Sequence, residues 1–226
     1  RKLKRLTRLQ KIFFKNCCLK GQDMEHMLVS LGKIDHLVEL DLSENDQLSG
    51  SAELWSYYLK HLSNLRKLKL TDCKFQAQDL KSLATSILGM ESLEQCHTGM
   101  LDVKKTESGT TVHLKECSSL TGKDLAHLLK VMGRRSDLVE LKLTDMGNVM
   151  EDSQAAIWAP CLKELTHLKR LSLNKNANRG KYIRHIAKCL SSMPSVVELD
   201  LSDNEALGGS ARLWCRYFKL MKHIQN

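Results

Sequence analysis

The hydrophobic residues of this chain recur in one short pattern, L-x-x-L-x-L-x-x-N/C. The nearly complete copies begin at Leu9, Leu37, Leu65, Leu138, Leu168 and Val196. A partial copy around Val112, Leu114 and Cys117 lacks its first leucine, and another begins at Leu93 but decays after Cys96. Because most starts are about 28 to 30 residues apart, the pattern predicts about eight repeats, one of them short and irregular.

Each repeat contains the signals of a strand followed by a helix. The L-x-L alternation predicts a short β-strand whose leucines point inward. The remainder has apolar residues at helical spacing behind a capping-type Asp, as in residues 79–88 and 124–129. A single repeat cannot bury its own leucines, so neighbouring repeats are expected to stack. The predicted fold is an α/β solenoid of horseshoe shape, with parallel strands on the concave side and helices on the convex side.

The spacing is broken between Leu93 and Gly109. These 16 residues leave little room for the helix that normally connects parallel strands. A local hairpin or a short turn without a helix is expected near residues 93–110, and it separates two half-arrays, 1–92 and 110–226. We expect one repeat domain over residues 1–226. Since the first residue is Arg1, we also expect a fragment of a longer chain.

The repeat places the polar residues of the strands in two columns on the concave face. The first column is Lys11, Glu39, Lys67, Gln95, Thr111, Glu140, Arg170 and Glu198. The second column is Phe13, Asp41, Lys69, His97, His113, Lys142, Ser172 and Asp200. Its first six residues are the predicted partner-binding positions, with a basic centre suited to an acidic protein or peptide. The alternative is a solvated face that binds nothing.

The sequence contains little that predicts catalysis. It has no phosphate-binding loop, nucleophile elbow, H-E-x-x-H or dinucleotide glycine motif, so no catalytic residue and no cofactor is predicted. The strongest metal candidate is the group of Cys96, His97, His113 and Cys117, because the two histidines would lie about 5 Å apart on adjacent strands. However, Cys117 belongs to the repeated turn position, and alternation places Cys96 on the opposite face from His97. We therefore predict no metal site.

Charge and apolar content narrow the class of partner. The formal net charge of +9 arises in the first twenty residues, which hold eight basic and no acidic side chains. The first column alternates in sign, so no continuous positive stripe for nucleic acid is predicted. The longest apolar runs, such as residues 27–31, are far shorter than a membrane span. Eight cysteines without a C-x-x-C pair, and the lack of a glycosylation sequon, agree with a cytoplasmic location.

The motifs VELDLS, LRKLKLTDC and LKRLSLNKN resemble the ribonuclease-inhibitor type of leucine-rich repeat, and in particular the C-terminal repeats of NOD-like receptors. This resemblance implies that the Asn or Cys after each strand bonds the backbone of neighbouring turns. It also implies a ligand-sensing or autoinhibitory module of an intracellular innate immune receptor. The alternative is a generic leucine-rich repeat scaffold or inhibitor that binds an acidic protein on the concave face.

Aromatic residues mark equivalent helix positions in three repeats, at Trp55, Trp158 and Trp214. Large aromatic residues at core-facing spacing predict packing between each helix and its own strand. In the final repeat, Trp214, Tyr217 and Phe218 lie where a further repeat would cover them. They are the predicted self-association surface of a homodimer.

Overall fold

The computed structural model describes residues 8–176, 182–205 and 215. The chain forms two compact units, unit 1 from Arg1 to Thr106 and unit 2 from Glu107 to Asn226. The predicted self-association residues Trp214, Tyr217 and Phe218 lie outside the described residues. The homodimer therefore stays a prediction.

Unit 1 is built from short strands that alternate with helical segments. Its strands are β1 (Lys11–Phe13), β2 (Glu39–Asp41), β3 (Lys67–Lys69), β4 (Gln95–His97) and β5 (Leu101–Thr106). Its α-helices are α1 (Gly21–Leu31), α2 (Ala52–Trp55) and α3 (Ala77–Leu88), and 3₁₀ helices span Asp46–Leu48 and Ser56–His61. Strands β1 to β4 pair in parallel, which places Lys11, Glu39, Lys67 and Gln95 in one row.

Unit 2 repeats the same plan. Its strands are β6 (Gly109–Lys115), β7 (Leu138–Thr144), β8 (Arg170–Ser172) and β9 (Glu198–Asp200). Its α-helices are α4 (Gly122–Met132), α5 (Asp152–Trp158) and α6 (Ile183–Leu190), and 3₁₀ helices span Gly147–Met150 and Ala159–Glu164. All four strands pair in parallel, which places Thr111, Glu140, Arg170 and Glu198 in one row.

The α/β class with parallel strands is thus confirmed within each unit, whereas the horseshoe shape and the number of repeats stay predictions. The strand leucines are fully buried, as the alternation predicts, for example Leu40, Leu68 and Leu171. Trp55 and Trp158 are also fully buried, which confirms their predicted place in the core. In both of these tryptophan-containing repeats the α-helix is short and continues as a 3₁₀ helix, so a full α-helix in every repeat was a wrong expectation.

The Asn that follows a strand connects successive repeats by hydrogen bonds to the backbone. Asn45 Nδ2 donates to the carbonyl oxygens of Leu42 at 2.7 Å and Phe14 at 2.8 Å. Its Oδ1 accepts from the backbone N–H of Cys17 at 2.9 Å and of Leu19 at 3.1 Å. One amide therefore satisfies groups in its own turn and in the preceding turn, because the buried backbone there has no strand partner.

The same position is used again in unit 2. Asn176 Oδ1 accepts from Met146 N–H at 2.9 Å, and Asn204 Oδ1 accepts from Asn176 N–H at 2.9 Å. In unit 1 the thiol of Cys73 takes this place, and its Sγ donates to the carbonyl oxygen of Leu42 in the preceding turn at 3.3 Å. The thiols of Cys17 and Cys117 donate within their own turns, to the carbonyl oxygens of Lys15 and Lys115. The ladder implied by the leucine-rich repeat resemblance is present.

A conformational feature of these turns was not predicted. The residue before the ladder position has a positive φ, between 51° and 61°, in seven turns: Asn16, Glu44, Asp72, Glu116, Asp145, Lys175 and Asp203. This left-handed conformation is unfavourable for residues other than glycine, asparagine and aspartate. It recurs because it turns the chain away from the strand so that the next side chain enters the ladder.

The irregular region has an extra strand. Strand β5 is antiparallel to β4, with Gln95 opposite Lys104 and His97 opposite Asp102. Only residues 98–100 separate these two antiparallel strands, so β4 and β5 form a local hairpin. The expectation that His97 lies beside His113 is wrong, since the β5 residue Asp102 occupies the place next to His97.

Candidate functional site

The strand residues that face away from the leucine core form one surface in each unit, and most of them are polar. The strand face of unit 1 consists of Lys11, Phe13, Glu39, Asp41, Lys67, Lys69, Gln95 and His97, together with Asp102 and Lys104 of β5. The strand face of unit 2 consists of Thr111, His113, Glu140, Lys142, Arg170, Ser172, Glu198 and Asp200. The two predicted columns are therefore correct within each unit.

Acidic and basic side chains of the unit 1 face lie at different depths. Glu39 accepts two ammonium groups, from Lys11 at 3.2 Å and from Lys69 at 3.4 Å. Lys69 also lies 3.9 Å from Asp41. The carboxylate side chains are 11% exposed, whereas those of Lys11 and Lys69 are 58% and 43% exposed. The carboxylates form a lower layer, and the ammonium groups reach solvent.

Electrostatics agree with this layering. The hydrogen bond from Lys11 lowers the pKa of Glu39 below its ordinary value, and the second hydrogen bond from Lys69 acts in the same direction against the effect of burial. The Asp41 carboxylate, which is buried, also accepts the backbone N–H of Ser43 at 3.0 Å. The pKa of Glu39 is thus kept low by groups of the protein itself.

Phe13 is the large apolar side chain of this face. It is 57% exposed and lies opposite Asp41 in the strand register. At the other end of the row, His97 is exposed and its Nδ1 lies 3.2 Å from the Asp102 carboxylate. The predicted residues of unit 1 therefore lie in one row. The row ends beside Asp102. The sequence did not predict this neighbour, because the strand register of the irregular repeat could not be derived from the spacing.

The unit 2 face shows the same layering around one acid. Glu140 accepts the Thr111 hydroxyl at 2.8 Å and lies 3.3 Å from the ammonium of Lys142 and 3.4 Å from Arg170. Burial acts to raise the pKa of Glu140, but the hydrogen bonds from Thr111 and Arg170 outweigh it and the pKa is lowered. The Lys142 and Arg170 side chains are more exposed than the carboxylate between them.

The remaining predicted residue, His113, is half-buried beside the unit 2 face. Its Nε2 lies 2.9 Å from the Thr144 hydroxyl, and that hydroxyl donates to Asn174 Oδ1 at 2.7 Å. Because the single hydroxyl hydrogen is used on Asn174, Nε2 of His113 acts as the donor. His113 is therefore oriented by the last residue of the next strand, β7.

The residues considered for a metal site do not form one. Cys96 is buried and His97 exposed, as alternation predicts for opposite faces. Burial raises the pKa of Cys96 and raises that of Cys117 to about 12, as expected for thiols packed in the core. Among the described residues, no three His, Cys, Asp or Glu side chains are grouped closely enough to hold a metal ion.

No helix within the described ranges is long and apolar enough to cross a membrane. Cytoplasmic location and the exclusion of nucleic acid stay predictions.

Residues 61–84 match a protein-family model described as Leucine Rich repeat. This segment runs from the end of the second repeat through β3 into α3. The match agrees with the ladder and the strand register. The chain therefore contains a leucine-rich repeat, which confirms that part of the resemblance.

Among curated proteins, the chain is similar to Tonsoku-like protein of Mus musculus, with 28% identity over 180 residues. The alignment covers 76% of this chain but only 12% of that protein. Among solved structures, the leucine-rich repeat-containing protein LegL7 from Legionella pneumophila has a TM-score of 0.42 and 14% identity, covering 88% of this chain and 67% of that chain. The tropomodulin C-terminal domain of Caenorhabditis elegans has a TM-score of 0.26 and 12% identity, covering 99% and 89%.

Proposed function

We propose that this leucine-rich repeat chain is a protein-interaction scaffold and that its strand faces contact the partner. The observation that carries the proposal is the strand register, which aligns the outward residues of β1 to β4 and of β6 to β9 in rows. Each row is displayed by backbone that is hydrogen-bonded on the strands and again in the ladder. Such a surface presents many side chains in a fixed arrangement, which lowers the entropy lost on binding.

The side chains of these faces are also restrained before a partner arrives. In unit 1, Glu39 is held by two lysines, and in unit 2 Glu140 is held by Thr111 and Arg170. Paired side chains lose fewer rotamers on binding than free ones. The faces are therefore suited to selecting a partner by shape and charge.

The finer assignment to a NOD-like receptor rests on the VELDLS, LRKLKLTDC and LKRLSLNKN motifs. In that role the repeats would sense a ligand or restrain a nucleotide-binding module. A phosphate-binding loop and a winged-helix region upstream in the full-length protein would support this assignment. An open reading frame consisting of repeats alone would contradict it and favour the scaffold.

The scaffold proposal is tested with one charge reversal on each side of unit 1. Lys67 is exposed on β3, and Lys81 is exposed on α3. Proteins retained from a cell extract by the unaltered chain are compared with those retained by Lys67→Glu and by the control Lys81→Glu. The far-UV circular dichroism of both variants must match that of the unaltered chain.

We expect at least one protein to be lost with Lys67→Glu and retained with Lys81→Glu. If every retained protein is insensitive to Lys67→Glu, or if losses occur only with Lys81→Glu, the strand face is not the contact surface.

A further inference from the structure

The depth of the charges on unit 1 indicates the chemistry of its partner. We infer, on the basis of the proposed scaffold function, that the strand face of unit 1 binds an acidic protein segment that carries an apolar residue. The acidic side chains would meet the lysines, and the apolar residue would cover Phe13.

The first step of the argument is that formal charge and presented charge differ on this face. The rows contain both acidic and basic residues, and the sum of their formal charges is close to zero. In the folded protein Glu39 and Asp41 are almost buried, while Lys11 and Lys69 extend over them with about half of each side chain exposed. A partner therefore approaches ammonium groups first, and the carboxylates act as their anchors.

The second step concerns what these lysines can still bind. An ammonium group has three donors, and the structure places one or two carboxylates near each of them. N–H groups that point outward can donate to a second carboxylate without breaking the inner pair. Lys67, exposed on β3 in the same row as Lys11, and Lys104 on β5 extend the same outward positive surface. Charge complementarity then favours aspartate and glutamate in the partner.

The third step is the apolar anchor. Phe13 is 57% exposed on the same side of β1 as Lys11. Exposed aromatic residues that become buried against a partner are typical anchors of protein interfaces. An aliphatic residue within the acidic segment would bury the Phe13 ring, whereas a purely anionic chain would leave it exposed.

A protein segment fits this face better than a nucleic acid. Lys11 and Lys69 lie 3.2 to 3.9 Å from the carboxylates of Glu39 and Asp41 on β2, so the lysines of this face do not form a continuous row of cations. A phosphate backbone carries closely and regularly spaced charges and would need such a row. Individual acidic side chains can be spaced to match separate lysines.

The test is direct binding measured by fluorescence anisotropy on the whole chain. The probe is a fluorescein-labelled peptide of aspartate and glutamate with one central leucine. There are three comparison probes. The first is the same peptide with serine in place of leucine, the second has lysine in place of every acidic residue, and the third is a labelled single-stranded oligothymidine. The variants are Lys11→Gln, Lys69→Gln and Phe13→Ser. Their matched controls are Lys81→Gln and Leu54→Ser, which change an exposed lysine and an exposed leucine outside the strand face.

We expect the leucine peptide to bind, and to bind more weakly as salt is raised. Each lysine variant should weaken binding about 3- to 10-fold, and Phe13→Ser should weaken binding of the leucine peptide by a similar factor but leave the serine peptide unchanged. Both controls should bind as the unaltered chain does. Tighter binding of the lysine peptide or of oligothymidine, or equal binding by all variants, overturns the inference.

The two proposals can fail separately. If Lys67→Glu loses a cellular partner but the acidic peptide does not bind, the strand face is a contact surface and the acidic chemistry is wrong. If the peptide binds with the expected variant pattern but no cellular protein depends on Lys67, the acidic chemistry is correct and the scaffold proposal falls.

Discussion

Trp55 and Trp158 provide a matched test of how the core of each unit is held together. They occupy equivalent repeat positions and both are fully buried. Trp158 Nε1 donates to the carbonyl oxygen of Val149 at 2.8 Å. Trp55 Nε1 is buried too, but within the described part of the chain it has no hydrogen-bond partner. The same replacement by phenylalanine should therefore have different consequences in the two units.

The expected magnitudes follow from two contributions. Removing the five-membered ring leaves a small cavity in either unit, which should cost about 1 to 2 kcal/mol. At Trp158 the replacement also leaves the buried Val149 carbonyl without this donor, adding about 1 to 3 kcal/mol. At Trp55 it removes a buried donor that had no partner, which offsets about 1 to 2 kcal/mol of the cavity cost. Trp158→Phe should thus be more destabilising than Trp55→Phe by about 2 to 5 kcal/mol.

Urea unfolding followed by far-UV circular dichroism measures this difference, since the signal does not depend on the replaced indole. Equal m values across the unaltered chain and both variants would show that the same surface unfolds in each case. A difference below about 1 kcal/mol, or a larger loss for Trp55→Phe, would refute the assigned hydrogen-bond contributions.

Three further predictions concern the ladder, the contact between repeats and the lower layer of carboxylates. Asn45→Ala should lower the free energy of unfolding by about 2 to 4 kcal/mol, because several buried backbone groups lose their partner. In the same urea assay, the exposed control Asn64→Ala should change the free energy of unfolding by less than about 0.5 kcal/mol. Gly122→Ala should destabilise the protein by about 1 to 3 kcal/mol, because the alanine Cβ would lie 2.5 Å from the backbone oxygen of Gln154 in the next repeat. This clash should outweigh the usual preference of helices for alanine over glycine. A rise in the thermal midpoint of unfolding would contradict this prediction. The folded-state pKa of Glu39 lies below its ordinary value of 4.5, so the ionised carboxylate stabilises the folded protein fully above pH 4.5. This contribution is lost as the pH falls through the folded-state pKa. In urea unfolding measured from pH 4.5 downward, the free energy of unfolding of Glu39→Gln should therefore depend less on pH than that of the unaltered chain.

The core and the rows of the strand faces could be predicted from particular residues. In β2, Leu40 is buried and Glu39 and Asp41 lie on the other side, because successive residues of a strand point to opposite faces. The constant step between repeats, here from Leu37 to Leu65, then places Glu39 beside Lys67. A period of two within the strand and a constant step between strands are enough to assign both columns.

The irregular repeat shows where this procedure stops. Because the step changes after His97, the spacing no longer predicts which residue lies beside it, and the structure places Asp102 there. The helix boundaries of the tryptophan-containing repeats also depended on packing. Their chain changes from α to 3₁₀ geometry at Ser56 and Ala159. Pro160 is a local signal for the second change, whereas no such residue marks the first. The left-handed residues Glu44 and Glu116 were missed for the same reason, since glutamate has no preference for that conformation.

The sequence by itself determined the repeating strand, the inward leucines, the ladder position and the order of charges along each row. These properties depend on residue spacing, and spacing is written in the chain. Only the tertiary structure decided how deep each charge lies. The carboxylates of Glu39 and Glu140 have low solvent exposure because longer basic side chains from neighbouring strands cover them. That arrangement depends on side-chain length and on contacts between repeats, and it converts a row of balanced charges into a surface that presents its positive groups.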